Sequence, residues 1–496
     1  MNKLSQQPVF WFIVGSQHLY GEETIKQVEV HAREMALYWN NETNWPAGVV
    51  YKGVVVSSDQ IKKLLSEANH DPSCAGVISW MHTFSPSKMW IAGLRDYKKP
   101  YLHLNTQFNR DIPWNEIDMD FMNLNQSAHG DREHGFIGAR LRMPRKIIAG
   151  YWKDAAVLDR MEAFMRVAIG IRVGQTLRCA RFGDNMRDVA VTEGDKVEAE
   201  RVFGWSVNYY PLGDLVSFVE GAADGDINAI MDQYHQRYDF KTDDLDAVRY
   251  QAKLECGLRG FLDQGGFQAF TSTFEDLHGL EQLEGLAAQN MMLDGYGYGA
   301  EGDWKTACLT HVMKKMAEGL NKGTSFMEDY TYHLEPGHEL VLGAHMLEVC
   351  PSIAAGRPAI EVHQLGIGNR KPPARLVFEG ASGPAVLASL VDMGGRMRLI
   401  VNDCEAVTPL QQMPKLPVAR VMWKPEPNLQ TSAEAWILCG GAHHTVMSYA
   451  LNSTHLRDFA EMTGLEFIHI NQDADIQALK KELLWNELAF KLNMQP

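Results

Sequence analysis

The sequence lacks the features that mark a nucleic-acid-binding or membrane protein. Its 496 residues include 47 Lys and Arg against 62 Asp and Glu, which gives a net charge of −15. Phosphate backbones and anionic membrane surfaces require clustered positive charge, and this balance disfavours both. No segment approaches the ~20 apolar residues of a membrane span, and the apolar stretch 9–14 is too short for the core of a secretory signal. We therefore expect a cytoplasmic protein that acts on a small neutral molecule, with neither nucleic acid nor membrane as a partner.

Several common site motifs are also missing. The seven cysteines are scattered and form no C-x-x-C pair, which disfavours a disulfide framework and a zinc ribbon. There is no Walker G-x-x-x-x-G-K-[ST] and no G-x-S-x-G, so nucleotide phosphotransfer and serine-hydrolase chemistry lack support. One G-x-G-x-x-G match occurs at 297–302, but residues 287–295 before it lack the character of a buried strand. We expect no dinucleotide site there.

The first third of the chain alternates between strand and helix patterns. Residues 9–14 form a continuous apolar run, which is typical of a strand buried on both faces. Short loops between alternating strands and helices indicate a parallel sheet covered by helices. The predicted strands are 9–14, 48–56 and 76–81, and the predicted helices are 22–39 and 59–68, the second with Ser58 as its N-cap.

The pattern restarts near residue 177 and changes again beyond Asn321. A strand at 177–183, a helix at 194–203 and further helical segments up to Gln282 predict a second α/β region. Beyond Asn321, Pro and Gly become frequent and short alternating runs predict antiparallel strands. The predicted elements there are a hairpin of 384–393 and 396–401 around Gly394-Gly395, a strand at 418–423 and a helix at 475–491.

Length and pattern together predict three domains, since a domain averages roughly 150 residues. We predict two doubly wound parallel-sheet α/β domains, residues 1–175 and 176–322. A mainly antiparallel β domain with a terminal helix, residues 323–496, follows them.

Two glutamates stand out in the second half of the chain. Glu301 lies in a glycine-rich turn just before a predicted helix, where the backbone can bring a carboxylate into a cavity. Period-two alternation in 324–334 predicts that Phe326, Glu328, Tyr330 and Tyr332 share one face of a strand. A carboxylate between aromatic side chains is costly to bury without a proton, an ion partner or a metal. The alternative is that Glu328 faces solvent on an edge strand.

Three histidines complete the candidate set. His345 lies in a predicted apolar strand, while His443 and His444 lie in a glycine turn ahead of Thr445, a predicted helix N-cap. A helix N-terminus disfavours imidazolium, so a histidine there is neutral and free to bind a metal. The histidines and the two glutamates can supply a Glu₂His₂ site, a donor set that suits Mn²⁺ or Co²⁺. Because these residues lie far apart in the sequence, the alternative for each of them is an ordinary core or surface position.

The sequence resembles the L-arabinose isomerase family over essentially its whole length. The resemblance rests on seven strings that occur in the same order. They are GSQHLYG (15–21), FMNLNQSAHG (121–130), TFEDLHG (273–279), EGDWKT (301–306), SFMEDYTY (325–332), GAHMLE (343–348) and GGAHHT (440–445).

The resemblance implies a set of site residues. In that family the positions matching Glu301, Glu328, His345 and His444 hold one divalent ion per subunit, usually Mn²⁺ with Co²⁺ or Mg²⁺ as substitutes, and the two glutamates also act as acid and base. The positions that contact the sugar correspond to Gln17, Leu19, Gln126, His129, Met186, Phe274, Tyr330, Ile367 and His443.

The resemblance also implies architecture and assembly. Family members have N-terminal and central α/β domains and a β-rich C-terminal domain, and they resemble L-fucose isomerase in fold. They form hexamers or tetramers. We expect a homo-oligomer, a hexamer, in which the loops with Gln17, Leu19, Gln126 and His129 reach the sugar in a neighbour's pocket.

The implied reaction converts L-arabinose to L-ribulose in arabinose catabolism, and D-galactose to D-tagatose, through a cis-enediol. A divalent cation would polarise the carbonyl, and Glu301 and Glu328 would move the protons. A hydride shift between C1 and C2 would use the same residues. A metal-dependent hydrolase and a sugar-binding protein or sensor are the rival functions.

Overall fold

The computed structural model describes residues 7–366 and 369–492, which fall into two compact units. The first unit runs to Arg172 and also takes in 461–464, and the second holds the remaining described residues. The elements up to the end of the first unit are β1 (Val9–Gly15), α1 (Gly21–Glu42), β2 (Gly48–Val55), α2 (Ser58–His70), β3 (Cys74–Trp80), α3 (Ile91–Asp96), β4 (Tyr101–Asn105), α4 (Met119–Leu124), α5 (Ser127–Arg140), β5 (Lys146–Ala149) and α6 (Ala155–Gly174).

The first unit is built on a parallel sheet with the strand order β2-β1-β3-β4-β5. Strand β1 lies between two neighbours, and its residues from Phe10 to Gly15 are buried, as the continuous apolar run predicts. The prediction of a parallel α/β region is confirmed. The predicted cap of α2 is wrong by one residue, because the Ser57 side chain, and not that of Ser58, accepts a hydrogen bond from the Gln60 N–H.

The second unit contains the longer list of elements. They are β6 (Arg178–Phe182), α7 (Lys196–Phe203), β7 (Ser206–Tyr210), α8 (Leu212–Glu220), α9 (Asp224–Arg237), β8 (Asp239–Phe240), α10 (Leu245–Gly265), β9 (Ala269–Ser272), α11 (Leu286–Leu293), β10 (Gly297–Gly299), α12 (Trp304–Met316), β11 (Thr324–His333), β12 (Leu340–Ala344), β13 (Ala359–Val362), β14 (Ala374–Val377), β15 (Gly383–Asp392), β16 (Met397–Val407), β17 (Arg420–Pro425), α13 (Leu429–Leu438), β18 (His444–Ser448), α14 (Ser453–Thr463), β19 (Glu466–Ile470) and α15 (Ile476–Lys491).

A second parallel sheet, in the order β10-β9-β6-β7, begins this unit. The prediction of helical segments up to Gln282 is wrong at three places, because β7, β8 and β9 interrupt the helices. Residues 297–299, inside the G-x-G-x-x-G match, themselves form the fully buried strand β10. The strands missed in this region, β7, β8, β9 and β10, have two to five residues each. They are too short for a hydrophobic period to be recognised in the sequence.

The remaining strands of the second unit are mainly antiparallel, as predicted. Six of them pair in a closed ring, β15-β18-β11-β12-β17-β16, because β15 also pairs with β16. Strand β19 adds to β16 in parallel, and β8, β13 and β14 form a small separate sheet. Met327, Trp423 and Met447, from three strands of the ring, lie in one buried apolar cluster. The predicted hairpin is confirmed, with Asp392 opposite Met397 across Gly394-Gly395.

Two local predictions about the site strands are wrong. Residues 444–448 form strand β18 and do not begin a helix, so Thr445 is not an N-cap. In β11 the register shifts between Asp329 and Thr331, which breaks the alternation after Glu328. Tyr332 therefore lines a small cavity together with Asp329, and does not share a face with Glu328.

The division into three domains after residues 175 and 322 stays a prediction. Across the described part of the chain, no helix has the length and apolar character needed to cross a membrane.

Candidate active site

Glu301 follows the short strand β10, at the edge of the parallel sheet where α/β folds place their ligands. Its backbone has a φ of 60°, an uncommon conformation for a residue with a side chain. Two hydrogen bonds hold the turn: the Met186 N–H donates to the Glu301 carbonyl at 3.0 Å, and the Gly302 N–H donates to the Ser272 carbonyl at 2.9 Å. The loop after β6 and the end of β9 thus fix the position of the carboxylate.

The antiparallel ring supplies the other three candidate ligands from adjacent strands. Glu328 on β11 lies directly opposite His444 on β18 and opposite Ala344 on β12. Side chains that face each other across strands lie about 5 Å apart at Cβ. His345 comes directly after Ala344, one residue beyond the end of β12, whereas the sequence predicts it within the strand.

These side chains converge to metal-ligand spacing. Glu301 Oε2 lies 3.7 Å from His444 Nε2 and 3.5 Å from His443 Nε2, and His345 Nε2 lies 3.9 Å from Glu328 Oε2. Two overlapping trios, Glu301 with His345 and His444, and Glu328 with His443 and His444, keep their ligand atoms within 4.8 Å of one another. Ligands that share one ion at about 2.1 Å must lie within about 4 Å of one another. The spacing is therefore close to what a shared ion requires.

One ring nitrogen of His444, Nε2, is available to bind a metal. The residue is fully buried, its Nδ1 lies 3.2 Å from Asp303 Oδ2, and its Nε2 has no hydrogen-bond partner among the described residues. Burial lowers the pKa of His444, which favours the neutral ring. With the proton on Nδ1 and donated to Asp303, the lone pair of Nε2 points toward Glu301, as metal binding requires.

Asp303 is held as an anion although it is buried. Burial opposes its charge, but the ammonium of Lys305, 3.2 Å from Oδ1, outweighs burial together with the His444 ring and the Thr306 hydroxyl, and these groups hold the pKa of Asp303 well below its usual range. The Thr306 hydroxyl also donates to Asp303 Oδ2 at 2.8 Å. The Lys305 ammonium in turn donates to the carbonyls of Thr192 and Glu193. Asp303 is thus a fixed acceptor for the His444 ring.

His345 has a matching arrangement. Its Nδ1 is hydrogen-bonded to Glu348 Oε2, which also accepts from the Leu347 N–H, and the Tyr298 hydroxyl donates to Glu348 Oε1. Burial opposes charge on His345, but Glu348, Glu328 and Glu301 together outweigh burial and raise the pKa of His345 to about 9. The same carboxylates that favour a proton on this ring also favour a metal cation beside it.

The two candidate glutamates differ in their surroundings. Burial raises the pKa of Glu328. For Glu301 burial acts in the same direction, but the hydrogen bond with His443 and the nearby His444 and His345 rings outweigh it and lower the pKa. Two carboxyl groups whose pKa values are pushed in opposite directions are a common basis for acid and base roles.

The structure places the remaining predicted residues as follows. Phe274 lines one small cavity with Glu301 and His345, Met186 touches Glu301 through the backbone, and the half-exposed Tyr330 has its hydroxyl 4.0 Å from Met346 Sδ. In the first unit, the Gln126 amide donates to the Tyr20 hydroxyl at 3.0 Å, and its Oε1 lies 3.1 Å from His129 Nδ1. Gln17 and Leu19 lie beside Tyr20, and the Leu19 side chain is 82% exposed. Ile367 lies outside the described residues.

The carboxylates that are hydrogen-bonded to His345 and His444 were not predicted from the sequence. Asp303 is two residues after Glu301, and Glu348 is three residues after His345. Both lie inside strings already singled out, and a search for acceptors near each candidate histidine could have found Glu348. Asp303 lies 141 positions from His444, so only the fold reveals that pair.

Glu301 at the carboxyl edge of the parallel sheet meets Glu328, His345 and His444 from the antiparallel ring, an arrangement typical of an enzyme that acts on a small polar molecule. The family models for the L-arabinose isomerase N-terminal, central and C-terminal domains match residues 4–176, 178–319 and 323–466. The chain belongs to the L-arabinose isomerase family.

Curated relatives support this membership over the full length. The L-arabinose isomerase of Geobacillus kaustophilus is 57% identical over 495 residues, which covers 98% of this chain and 99% of that protein. Those of Thermotoga petrophila and Tolumonas auensis are 55% and 54% identical, and each alignment covers at least 97% of both chains.

Proposed function

We propose that this protein interconverts L-arabinose and L-ribulose, and also D-galactose and D-tagatose, by metal-dependent aldose-ketose isomerisation in arabinose catabolism. The observation that carries the proposal is the convergence of Glu301, Glu328, His345 and His444 within one site of a full-length family member. Relatives named L-arabinose isomerase, at 54% to 57% identity, support the choice of sugar.

One divalent ion would be held by four ligands: Glu301, Glu328, His345 and His444. The preferred ion would be Mn²⁺, with Co²⁺ or Mg²⁺ as substitutes. The donor set fits such an ion, since two carboxylates with two imidazoles suit Mn²⁺ or Co²⁺. The unpartnered, buried Nε2 of His444 supports the assignment, because a nitrogen left without a partner in the interior is costly. When bound, the ion would polarise the sugar carbonyl and stabilise the negative charge that develops on the sugar.

The protein's own groups would carry the proton transfers. One of Glu301 and Glu328 removes the proton from C2 as a general base, and the other acts as the acid. A proton returns to C1 of the cis-enediol, while a proton moves from O2 to O1. Asp303 and Glu348 keep the His444 and His345 rings oriented. Turnover in D₂O should place deuterium at C1 of the ketose, whereas a hydride shift would carry the original hydrogen across.

Sugar binding would use residues from both units. Met186, Phe274, Tyr330 and His443 belong to the same unit as the proposed ligands, and Ile367 is proposed as a further sugar contact. Gln17, Leu19, Gln126 and His129 would reach the sugar in a neighbouring copy's pocket, in a cytoplasmic homo-oligomer, a hexamer. We also propose an L-fucose isomerase-like fold for this chain, with three domains divided after residues 175 and 322.

Product analysis tests the proposal. Purified protein with Mn²⁺ and L-arabinose should give L-ribulose, a ketose of unchanged mass. A metal-dependent hydrolase would add water to its substrate, and a sugar-binding protein would bind arabinose without forming product. Either outcome, with a folded and metal-loaded protein, would contradict the proposed function.

A further inference from the structure

A second set of charged residues joins two loops beside the site. The loop 183–189 follows β6 and the loop 273–276 follows β9, and these two strands are neighbours in the parallel sheet. Each loop carries one predicted sugar contact, Met186 in the first and Phe274 in the second. Neither loop belongs to an α-helix or strand, so side-chain contacts help to fix their positions beside the few backbone hydrogen bonds.

Arg187, Glu275 and Asp276, which we call the clasp, supply those contacts. The Arg187 guanidinium lies 2.9 Å from Glu275 Oε2 and 3.0 Å from Asp276 Oδ1. The backbone takes part as well: the Arg187 N–H donates to Glu275 Oε2 at 2.9 Å, and the Asp184 N–H donates to Asp276 Oδ2 at 3.1 Å. Two carboxylates of one loop thus accept four polar contacts from the other.

Close backbone approach shows that the loops are built to meet here. Gly183 has a φ of +81°, and a Cβ at that position would lie 2.9 Å from Asp276 Cβ. A side chain at residue 183 would therefore push the clasp apart. The glycine is required both by its conformation and by its neighbour.

The clasp is connected to the candidate ligands through the residues next to it in the sequence, Met186 and Phe274. Met186 lies between Asp184 and the clasp residue Arg187 in the sequence. Its N–H donates to the Glu301 carbonyl at 3.0 Å. Phe274, directly before Glu275, lines the same small cavity as Glu301 and His345. Movement of the two loops therefore changes the wall of the pocket, while the bond from the Gly302 N–H to the Ser272 carbonyl still holds the turn that presents Glu301.

The clasp contributes little to global stability. The Arg187 side chain is 63% exposed, against 21% for Glu275 and 30% for Asp276, and ion pairs in which one partner reaches solvent contribute small free energies that salt screens. Its loss should therefore affect the placement of the two loops far more than the folding of the protein.

We propose that the clasp is a positioning device that sets sugar affinity and sugar preference by holding Met186 and Phe274 against the pocket. The proposal rests on the proposed isomerase function for its kinetic consequences. Arg187 contacts no candidate ligand side chain through the bonds described above, so it is a positioning residue and not a catalytic one.

Kinetics of Arg187→Gln give the first test. KM for L-arabinose should rise about three- to tenfold while kcat stays within about twofold, a change expected when a weak exposed contact organises binding. The ratio of kcat/KM for L-arabinose to that for D-galactose should also change. Arg187→Lys should recover part of the KM, because a lysine can keep one of the two ion pairs. Mn²⁺ affinity and the thermal midpoint should stay at wild-type values.

A second variant and a matched control separate the clasp from general surface effects. Glu275→Gln should raise KM as Arg187→Gln does, and the double variant should be no worse than either single one. Arg201 pairs with Glu198 within α7 and its side chain is 64% exposed, so Arg201→Gln removes a similar ion pair away from these loops. It should leave KM unchanged.

Hydrogen exchange gives a readout that does not depend on turnover. The amides of Met186 and Arg187 should exchange about tenfold faster in Arg187→Gln than in wild type, and at the wild-type rate in Arg201→Gln. Unchanged exchange, or a fall in the thermal midpoint that accounts for the kinetic loss, would overturn the proposal. If wild-type protein does not isomerise L-arabinose, the proposed function fails, and the exchange rates alone still decide whether the clasp holds the loops.

Discussion

At the residue scale, the distinctive feature of the site is that each buried histidine has its own carboxylate. Asp303 accepts from His444 and Glu348 from His345, although the two pairs come from different elements. Such acceptors fix the tautomer and the orientation of a ring and make its other nitrogen a better metal ligand. We expect both carboxylates to act through the histidines they hold.

Replacing either acceptor with its amide should weaken metal binding. Asp303→Asn and Glu348→Gln should each lower Mn²⁺ affinity about 10- to 100-fold, because the ring can then adopt the wrong tautomer. Titration of Mn²⁺ by calorimetry measures the change. Asp403→Asn is the matched control, since Asp403 holds His469 at 2.7 Å in a different part of the unit. Unchanged affinity in both site variants, with the fold intact, would contradict an orienting role.

Glu284 provides a pH-dependent prediction. Burial raises the pKa of this carboxyl to about 7, and one of its oxygens has no partner among the described residues. A raised folded-state pKa favours the protonated form, so the contribution of Glu284 to stability should be greatest at low pH and fall as the pH rises from about 4.5 through 7. Glu284→Gln, which cannot ionise, should gain up to about 3 kcal/mol relative to wild type between pH 5 and pH 8.

Urea denaturation at pH 5, 6.5 and 8 measures that difference. Glu281→Gln, at a glutamate whose side chain is 53% exposed, serves as the control and should follow wild type. If Glu284→Gln also follows wild type at every pH, Glu284 does not titrate as a buried acid.

At the scale of elements, the turn after β10 is the most constrained part of the site. Gly302 has a φ of +80°, and a Cβ there would lie 2.5 Å from the Asn185 backbone. Gly337 has nearly the same φ, +81°, but a Cβ there would meet nothing within 4 Å. The two glycines separate the cost of the conformation from the cost of the contact.

Alanine at these two positions should have very different effects. Both variants bear the left-handed conformation, at about 1 kcal/mol, but only Gly302→Ala must also displace backbone next to Glu301. Gly302→Ala should lose most of its activity and more of its thermal midpoint, while Gly337→Ala should remain active. Differential scanning calorimetry with an isomerase assay compares them. Equal effects would show that the close approach at Gly302 is unimportant.

Much of the element order could be predicted, because long strands and helices have readable periods. The parallel sheet that contains β1, the hairpin of β15 and β16 and the terminal helix α15 were predicted from the pattern. The three-residue strand β10 is too short to show a period. The glycines before His443 led to the prediction of a helix where β18 begins, because a glycine turn precedes strands as well as helices.

The site could be predicted in part. The fold brings Glu301, Glu328, His345 and His444 together, and their ligand role stays a prediction. The expected neutrality of His444 agrees with its lowered pKa, but burial is the cause and not a helix N-terminus. Glu328 lies within β11 directly opposite His444 at the start of β18, a pairing that depends on strand register and not on sequence spacing.

At the scale of the whole molecule, the proposed sugar contacts fall in both units. Gln17, Leu19, Gln126 and His129 belong to the first unit, while the candidate ligands belong to the second. We propose that a neighbouring copy completes the site, and the enzyme would then be active only as an oligomer.

Mixing inactive variants tests shared sites. Gln17→Ala with His129→Ala removes one half of the proposed pocket, and Glu301→Ala with Glu328→Ala removes the other. After dissociation and reassembly, hybrids should recover part of the activity, because some pockets receive both intact halves. Hybrids that form, as shown by mass spectrometry, but stay as inactive as either parent would place the site within one chain.

The most direct test of the central claim is removal and return of the metal. Protein freed of metal by EDTA, with the loss verified by elemental analysis, should form no L-ribulose from L-arabinose. One equivalent of Mn²⁺ per chain should restore turnover in wild type but not in His444→Ala. Full activity in the verified metal-free protein would contradict the account.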